Sequence, residues 1–314
     1  MRWPARARGL DVRVLLDDVG VFYSLPPVDR YLRARGVRSA RFLPAWRAPY
    51  FNLRNHRKLL VVDGRVGFTG GMNIRAGHVL GDHPKYPIRD LHFRVEGPVV
   101  AQMMEAFAED WEFTTRESLR GERWFPSLPL GGTTLARAIP DGPDQDMDKI
   151  RWAFLGAIAC ARDSIRVLTP YFLPDLTVAT ALNLAAMRGV RVDIVLPRRG
   201  NLPVVQWAMW GHFAKVLGHG CKLWLTPPPF DHSKLMVVDE QWCLFGSPNW
   251  DPRSLRLNFE IGVECYDARF AQTMARLIDE RIASATRLSL EAVESRPLPL
   301  RLRDGVARLL TPYL

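Results

Sequence analysis

Cysteine is scarce in this chain, and lysine is scarcer than the charge suggests. The four cysteines (Cys160, Cys221, Cys243, Cys265) stand far apart, with no CxxC pair and nothing like the density of a secreted disulfide scaffold. Reduced intracellular thiols are therefore expected, and none is a candidate nucleophile. No run of eighteen apolar residues occurs, and the opening MRWPARARGL is basic but has no apolar segment behind it. The chain as given is expected neither to span a membrane nor to carry a signal peptide.

With 314 residues the chain can bury a large core, as one large domain or two ordinary ones. A formal charge of +10 and a pI near 9.8 favour an anionic partner, either nucleic acid or a phospholipid surface. A basic, solvated surface accounts for the same numbers, so composition does not choose.

Pattern does choose. The stretch 56–73, HRKLLVVDGRVGFTGGMN, and the stretch 231–260, DHSKLMVVDEQWCLFGSPNWDPRSLRLNFE, share one chemistry. In each, Lys follows His by two residues (Lys58, Lys234), Asp by seven (Asp63, Asp239), Gly by fourteen (Gly70, Gly246) and Asn by seventeen (Asn73, Asn249). Only six of the 43 basic residues are lysine, and two of them hold this matched position. A single HxK would mean little by motif standards, whereas two copies with matched Asp, Gly and Asn define two half-sites.

The repeat extends outward. Residues 5–19, ARARGLDVRVLLDDV, read as a helix end, a Gly break and a strand, and residues 185–196, AAMRGVRVDIVL, repeat that grammar. The expectation is two pseudo-symmetric α/β lobes. Their spans are 1–125 and 149–314, joined by a Pro/Gly/Asp-rich linker at 126–148. Before Gly189 the second lobe has room for a helix (149–161), a strand (165–169), the turn TPYFLPD and a helix (176–188), whereas only eight residues precede Gly9. The first lobe is thus expected to lack about one strand and one helix, with a truncated gene start among the explanations.

Within the lobes, 29–36 suggests a short helix and His56 to Lys58 a strand, which places His56 and Lys58 on one face. Asp63-Gly64 marks a hairpin turn, and the glycines before each Asn suggest backbone room for a phosphate. Residues 77–89 read as a loop rimming the site, 90–95 as a strand and 101–114 as a helix. Trp207, Met209 and Trp210 on a helix at 203–217 read as core packing more readily than as a membrane-seated face. A helix at 268–286 follows, and the tail RDGVARLLTPYL reads either as a short docked helix or as one touching a membrane.

Each half-site offers an imidazole, an ammonium and a carboxamide. Divalent metals are usually held by several His, Asp, Glu or Cys ligands, and a lysine two residues from each histidine adds repulsion, so neither metal nor cofactor is expected. Lys58, Lys234, Asn73 and Asn249 suit the non-bridging oxygens of a phosphodiester and the charge that develops on them. Two imidazoles can divide the work, one attacking phosphorus and the other passing protons. Each needs a partner on its second nitrogen, for which Asp90 and Glu260 are the candidates. The candidate catalytic set is His56, Lys58, Asp63, His232, Lys234 and Asp239. Within it Asp63 and Asp239 sit at strand-end turns and read as structural.

On these residues the sequence resembles the phospholipase D superfamily with its paired HxKxxxxD motifs, most closely the bacterial cardiolipin synthase branch. The extended pattern GSxNxDxRSxxxNxE at 246–260, the turn TPYFLPD (169–175), GPD (142–144) and RDLHFRVEGPVV (89–100) carry the same resemblance. It implies a two-lobed αβαβα sandwich with the active site at the lobe interface. It also implies metal-independent phosphatidyl transfer through a phosphohistidine, from phosphatidylglycerol to cardiolipin, with His56 and His232 as nucleophile and acid/base. An anionic phospholipid substrate and peripheral attachment to a bacterial cell membrane follow, with no expectation about oligomeric state. Members of the branch usually begin with membrane-spanning helices and a complete first lobe, neither of which is expected in residues 1–314. A phosphodiesterase or nuclease acting on nucleic acid is the alternative.

Overall fold

The computed structural model describes residues 9–23, 26–44 and 52–313. The first half runs β1 (Arg13–Asp17), α1 (Val28–Arg33), β2 (Arg38–Phe42), β3 (Arg54–Asn55), β4 (Leu59–Val62), β5 (Val66–Gly70), β6 (Ile88–Arg89), β7 (His92–Glu96) and α2 (Val99–Thr115). The second runs β8 (Leu135–Asp141), α3 (Lys149–Cys160), β9 (Ser164–Leu168), α4 (Leu176–Met187), β10 (Arg191–Pro197), α5 (Pro203–Leu217), β11 (Lys222–Thr226), β12 (Phe230–Asp231), β13 (Leu235–Val238), β14 (Trp242–Gly246), α6 (Pro252–Arg256), β15 (Asn258–Tyr266) and α7 (Ala268–Ala283). The chain closes with β16 (Thr286–Leu288), α8 (Leu290–Glu294) and α9 (Leu298–Leu309). The helix end expected at 5–8 lies outside the described residues.

The β4–β5 and β13–β14 hairpins turn on Asp63-Gly64 and Asp239-Glu240, all four residues at positive φ. Two consecutive left-handed residues are what the turns closed by Arg65 N to Val62 O and Gln241 N to Val238 O require at their centres, and Asp tolerates that region better than most residues. In the second half β16, β11, β10, β9, β13, β14 and β15 form one continuous sheet, with β8 antiparallel to β15. Helices α3, α4 and α5 cover one face, burying Ile150, Phe154, Leu182 and Phe213. The other face packs on α7 and on residues from the first half, with Phe93 stacked on Phe245 at a centroid distance of 3.8 Å. The two halves therefore share an apolar core.

Among the described residues the first half repeats this plan without a counterpart of β9. Here β1–β2 is one parallel pair and β4–β5–β7 is a separate sheet. In the second half β9 lies between the corresponding strands, parallel to β10 and antiparallel to β13. Side chains register the difference: Met236 and Val238 are buried at 1% and 5%, while their counterparts Leu60 and Val62 stand 56% and 41% exposed. Fully burying such a side chain contributes roughly 1.5–3 kcal/mol, a gain the first half forgoes at both positions.

The segment 126–148 is not linker along its whole length. Leu135–Asp141 is β8, held by β15 from Tyr266 back to Glu260, so its backbone groups find partners in the sheet. Trp207 and Trp210 pack against the core with Met209, as core residues. No helix among the described residues is long and apolar enough to cross a membrane.

Candidate active site

The histidines do not lie on strands, as their alternation with lysine suggested. His56 to Lys58 and His232 to Lys234 are extended segments between a two-residue strand and a hairpin strand. The short strands explain the interruption, because each crosses to the opposite half. β3 pairs in parallel with β15 at Asn258 and Phe259, and β12 pairs in parallel with β6 at Ile88 and Arg89. The crossing continues one residue further: His56 N donates to Phe259 O at 2.8 Å, and His232 N donates to Arg89 O at 2.7 Å. The next residue on each accepting strand is a carboxylate, Glu260 or Asp90.

Those carboxylates hold the imidazoles. His56 Nδ1 lies 2.8 and 2.9 Å from the two Glu260 oxygens, and His232 Nδ1 lies 2.9 Å from Asp90 Oδ2. A carboxylate only accepts, so Nδ1 of His56 carries the proton and Nε2 is left with its lone pair. Asp90 and Glu260 therefore each hydrogen-bond a histidine of the other half.

The lysines lie beside them, Lys234 buried and Lys58 half-buried. Lys58 Nζ donates to His56 O at 2.7 Å, and Lys234 Nζ donates to His232 O at 2.5 Å while lying 2.9 and 3.0 Å from the His232 ring nitrogens. Burial brings the Lys58 ammonium down to about 7 and that of Lys234 to about 8, with Glu260 and Asp90 opposing the change. Burial also lowers His56 and, together with the charges of Lys234 and Lys58, takes His232 well below its ordinary range. His56 contributes to the His232 shift, so the half-sites act on one another electrostatically.

The carboxylates differ. Burial raises Asp90 to about 7, only partly offset by Lys234 and the Leu91 N–H. Burial also works to raise Glu260, but His56 and Lys58 outweigh it and the net shift is downward. Glu260 also accepts from Asn258 Nδ2 at 3.1 Å. His56 thus faces the more strongly ionised carboxylate, and its side chain is the more exposed of the two, 27% against 11%.

Asn249 is buried, its Nδ2 donating to Ser254 Oγ at 3.2 Å and its Oδ1 without a partner. Asn73 occupies the matched place and is half-buried. The glycines before them have another purpose than a phosphate pocket. A Cβ on Gly70 or Gly246 would meet the Leu91 or Ile261 carbonyl at 2.3 or 2.2 Å, and one on Gly71 would meet Asp90 Oδ1 at 2.3 Å. Their bareness lets β5 and β14 close on the strands that carry the carboxylates.

The motif aspartates stand apart from this cluster. Asp239 accepts the backbone N–H groups of Arg162, Asp163 and Ser164, each at 2.8 Å, and so pins the turn between α3 and β9. Asp63 is exposed, and no hydrogen bond to its carboxylate occurs among the described residues. The elements that Asp239 grips have no counterpart among the described residues of the first half.

His78 escaped the sequence reading. It is buried, with Nδ1 lacking a partner and 3.9 Å from Asp90 Oδ2. It stands five residues after Asn73, where the second half has Ser254 after Asn249, and that matched offset was the available signal. Tyr171 of TPYFLPD lies beside the His232 ring at 6.3 Å and donates to Asn201 Oδ1 at 2.6 Å, forming a wall of the site. From 74–87, Ile74, Val79, Leu80 and Tyr86 are exposed. Among the described residues no group of three or more His, Cys, Asp or Glu is arranged to hold a metal ion.

Two crossed His–carboxylate pairs with a lysine in each half, on a duplicated α/β plan, define the class of site, and the chain is similar to proteins of the phospholipase D superfamily. Residues 154–282 match the family model described as cardiolipin synthase, PLD-like domain. The chain is 33% identical over 313 residues to cardiolipin synthase 2 of Staphylococcus epidermidis RP62A, covering 98% of this chain and 64% of that protein. It is 33% identical over 322 residues to cardiolipin synthase of Staphylococcus aureus Mu50, covering 98% and 63%. The chain thus spans a little under two thirds of the length of these curated relatives. In fold it is similar to phosphatidylserine synthase of Haemophilus influenzae Rd KW20, with a TM-score of 0.74 at 16% identity over 99% of this chain and 84% of that one.

Proposed function

We propose that this chain is a phosphatidyltransferase that makes cardiolipin from phosphatidylglycerol at a membrane surface. The observation that carries the transfer chemistry is the crossed pairing of His56 with Glu260 and His232 with Asp90. The cardiolipin synthases among the relatives support the substrate.

The phosphodiester anion sits between Lys58 and Lys234, with Asn73 and Asn249 donating to its non-bridging oxygens. Its negative charge offsets the lysine repulsion that depresses His232, so that imidazole gains a proton as substrate binds. His56 Nε2 attacks phosphorus and forms a P–N bond, the P–O bond to glycerol breaks, and His232 gives the leaving oxygen its proton. In the second step a hydroxyl of another phosphatidylglycerol loses its proton to His232 and attacks phosphorus. The new P–O bond replaces P–N and His56 is regenerated. No step uses a metal: buried ammonium groups stand where a metal would supply positive charge.

The exposed Ile74, Val79, Leu80 and Tyr86 follow Asn73 in sequence and suit acyl chains beside a polar pocket. A peripheral position on the bacterial membrane follows from that substrate.

The test is a product assay on purified protein with phosphatidylglycerol vesicles and EDTA, with and without phosphatidylethanolamine, and with single-stranded DNA in parallel. Cardiolipin and free glycerol are expected. Phosphatidic acid alone would make water the acceptor, and DNA cleavage alone would replace this reading with a nuclease.

A further inference from the structure

The closing helix α9 is amphipathic in the opposite sense from a helix that packs on a protein core. Its inward side, lying on α5, carries Asp304 and Ala307, both buried. Asp304 pairs with Arg296 and with Arg303, the latter at 2.8 Å. The same two guanidinium groups lie 4.0 and 4.6 Å from the Trp210 and Trp207 ring centroids. Gly211 allows the approach, since a Cβ there would come within 3.0 Å of Asp304 O. Ion pairs and cation–π contacts thus contribute to the docking beside apolar burial.

The outward side is the apolar one. Leu298, Leu302, Val306 and Leu309 are 64%, 62%, 65% and 72% exposed. Their spacing of four, four and three residues draws one stripe along the helix. Tyr313, 68% exposed in the 3-10 turn Thr311–Tyr313, extends it. At 100° per residue Arg301 and Arg308 project from one flank of this stripe. Both are exposed and form no ion pair among the described residues.

We propose that this face is a docking surface for an anionic phospholipid bilayer. The stripe seats at the headgroup–acyl boundary while Arg301 and Arg308 reach lipid phosphates. Charge favours this occupant. The whole chain carries +10, and a second copy meeting the same face isologously would bring these uncompensated arginines toward their own equivalents. The docked end is tied to both half-sites. Arg253, four residues after Asn249, donates to Tyr313 O at 3.1 Å and to Asn52 Oδ1 and O at 3.0 and 3.2 Å, and Asn52 lies four residues before His56. Docking of α9 therefore fixes how the cleft sits over the bilayer. This deepens the peripheral-membrane reading above, and binding is measured separately from turnover.

The experiment is cosedimentation of the full chain with large vesicles of phosphatidylglycerol and phosphatidylcholine, beside vesicles of phosphatidylcholine alone. The variant Leu298→Gln/Leu302→Gln/Val306→Gln/Leu309→Gln should lose at least about tenfold in affinity for the mixed vesicles. Its circular dichroism and its turnover of a short-chain, monomeric phosphatidylglycerol should be unchanged. Arg301→Gln/Arg308→Gln should lose about tenfold on anionic vesicles alone. A less disruptive probe is Val306→Cys in a Cys160→Ser background, carrying an environment-sensitive fluorophore, with a blue shift expected on mixed vesicles. Undiminished sedimentation of both variants, an unshifted fluorophore, or a wild-type dimer that the leucine variant dissociates would each overturn the proposal. Loss of turnover with vesicle binding intact would count against the catalytic reading instead.

Discussion

His56 and Glu260 are 204 residues apart in sequence and 2.8 Å apart in space, and the backbone bond that brings them together is repeated with the halves exchanged at His232 and Asp90. Orientation of each imidazole is therefore a property of the interface between halves.

Glu260→Gln and Asp90→Asn should each lower kcat by about 10²–10⁴ without unfolding the chain, because an amide no longer fixes the proton on Nδ1. Glu260→Gln should be the more severe for intermediate formation, since Glu260 faces His56, the ring proposed to attack. Rapid-quench measurement of labelled protein during one turnover separates the two steps, and equal loss in both variants would remove the division of roles.

His56→Ala should abolish both turnover and the acid-labile phosphorylated protein, with a loss of at least about 10³ in kcat. His232→Ala should abolish steady-state turnover to a similar extent, while EDTA leaves the wild type unaffected. Either variant retaining full activity contradicts a shared site.

kcat/KM should fall as pH rises through about 7 to 8, because the free enzyme's Lys58 and Lys234 lose their protons there and with them the charge that binds phosphate. Bound anion stabilises both ammonium groups, so the fall in kcat should appear at higher pH. Lys58→Arg and Lys234→Arg report on the assignment: if activity survives, the fall in kcat/KM should move upward, since arginine keeps its charge.

Asp239→Ala should destabilise the chain by about 2–4 kcal/mol in urea unfolding, since three N–H groups lose an ionised acceptor. Asp63→Ala, at the same motif position, should change stability by no more than about 0.5 kcal/mol. Equal effects would show that the two aspartates share a role that the structure separates.

Asp141 is buried beside Glu260 with Oδ2 unpartnered, and burial first, then the Glu260 charge, raise it to about 8. Between the ordinary carboxylate range and about pH 8 the folded state binds more protons at Asp141 than the unfolded state, so its contribution to stability falls as pH rises. Asp141→Asn should therefore match wild type near pH 4 and gain a Tm of about a few degrees near pH 8. A gain independent of pH would show that the carboxyl does not titrate there.

Much of this site was readable in the sequence, since the two half-sites repeat at fixed offsets, although Asp90 and Glu260 stand 20 and 14 residues past Gly70 and Gly246 and share no offset. Which histidine each carboxylate serves was hidden. The exchange depends on the two-residue strands at Arg54 and Phe230, too short to leave a periodic pattern. β8 was obscured by Pro140 and the surrounding turn residues, although its backbone is held along its length by β15. The contrast between exposed Leu60 and Val62 and buried Met236 and Val238 was not legible, because the four residues follow the same sequence pattern. The outward leucines of α9 could not be told from core leucines without knowing that Asp304 faces inward.

The crossed β3–β15 and β12–β6 bridges make the chemistry a conjunction. A chain with one half folded has no imidazole held in register, because every histidine waits for a carboxylate that the other half supplies. If the chain carries out the transfer proposed above, the site for it comes into existence only with the completed interface.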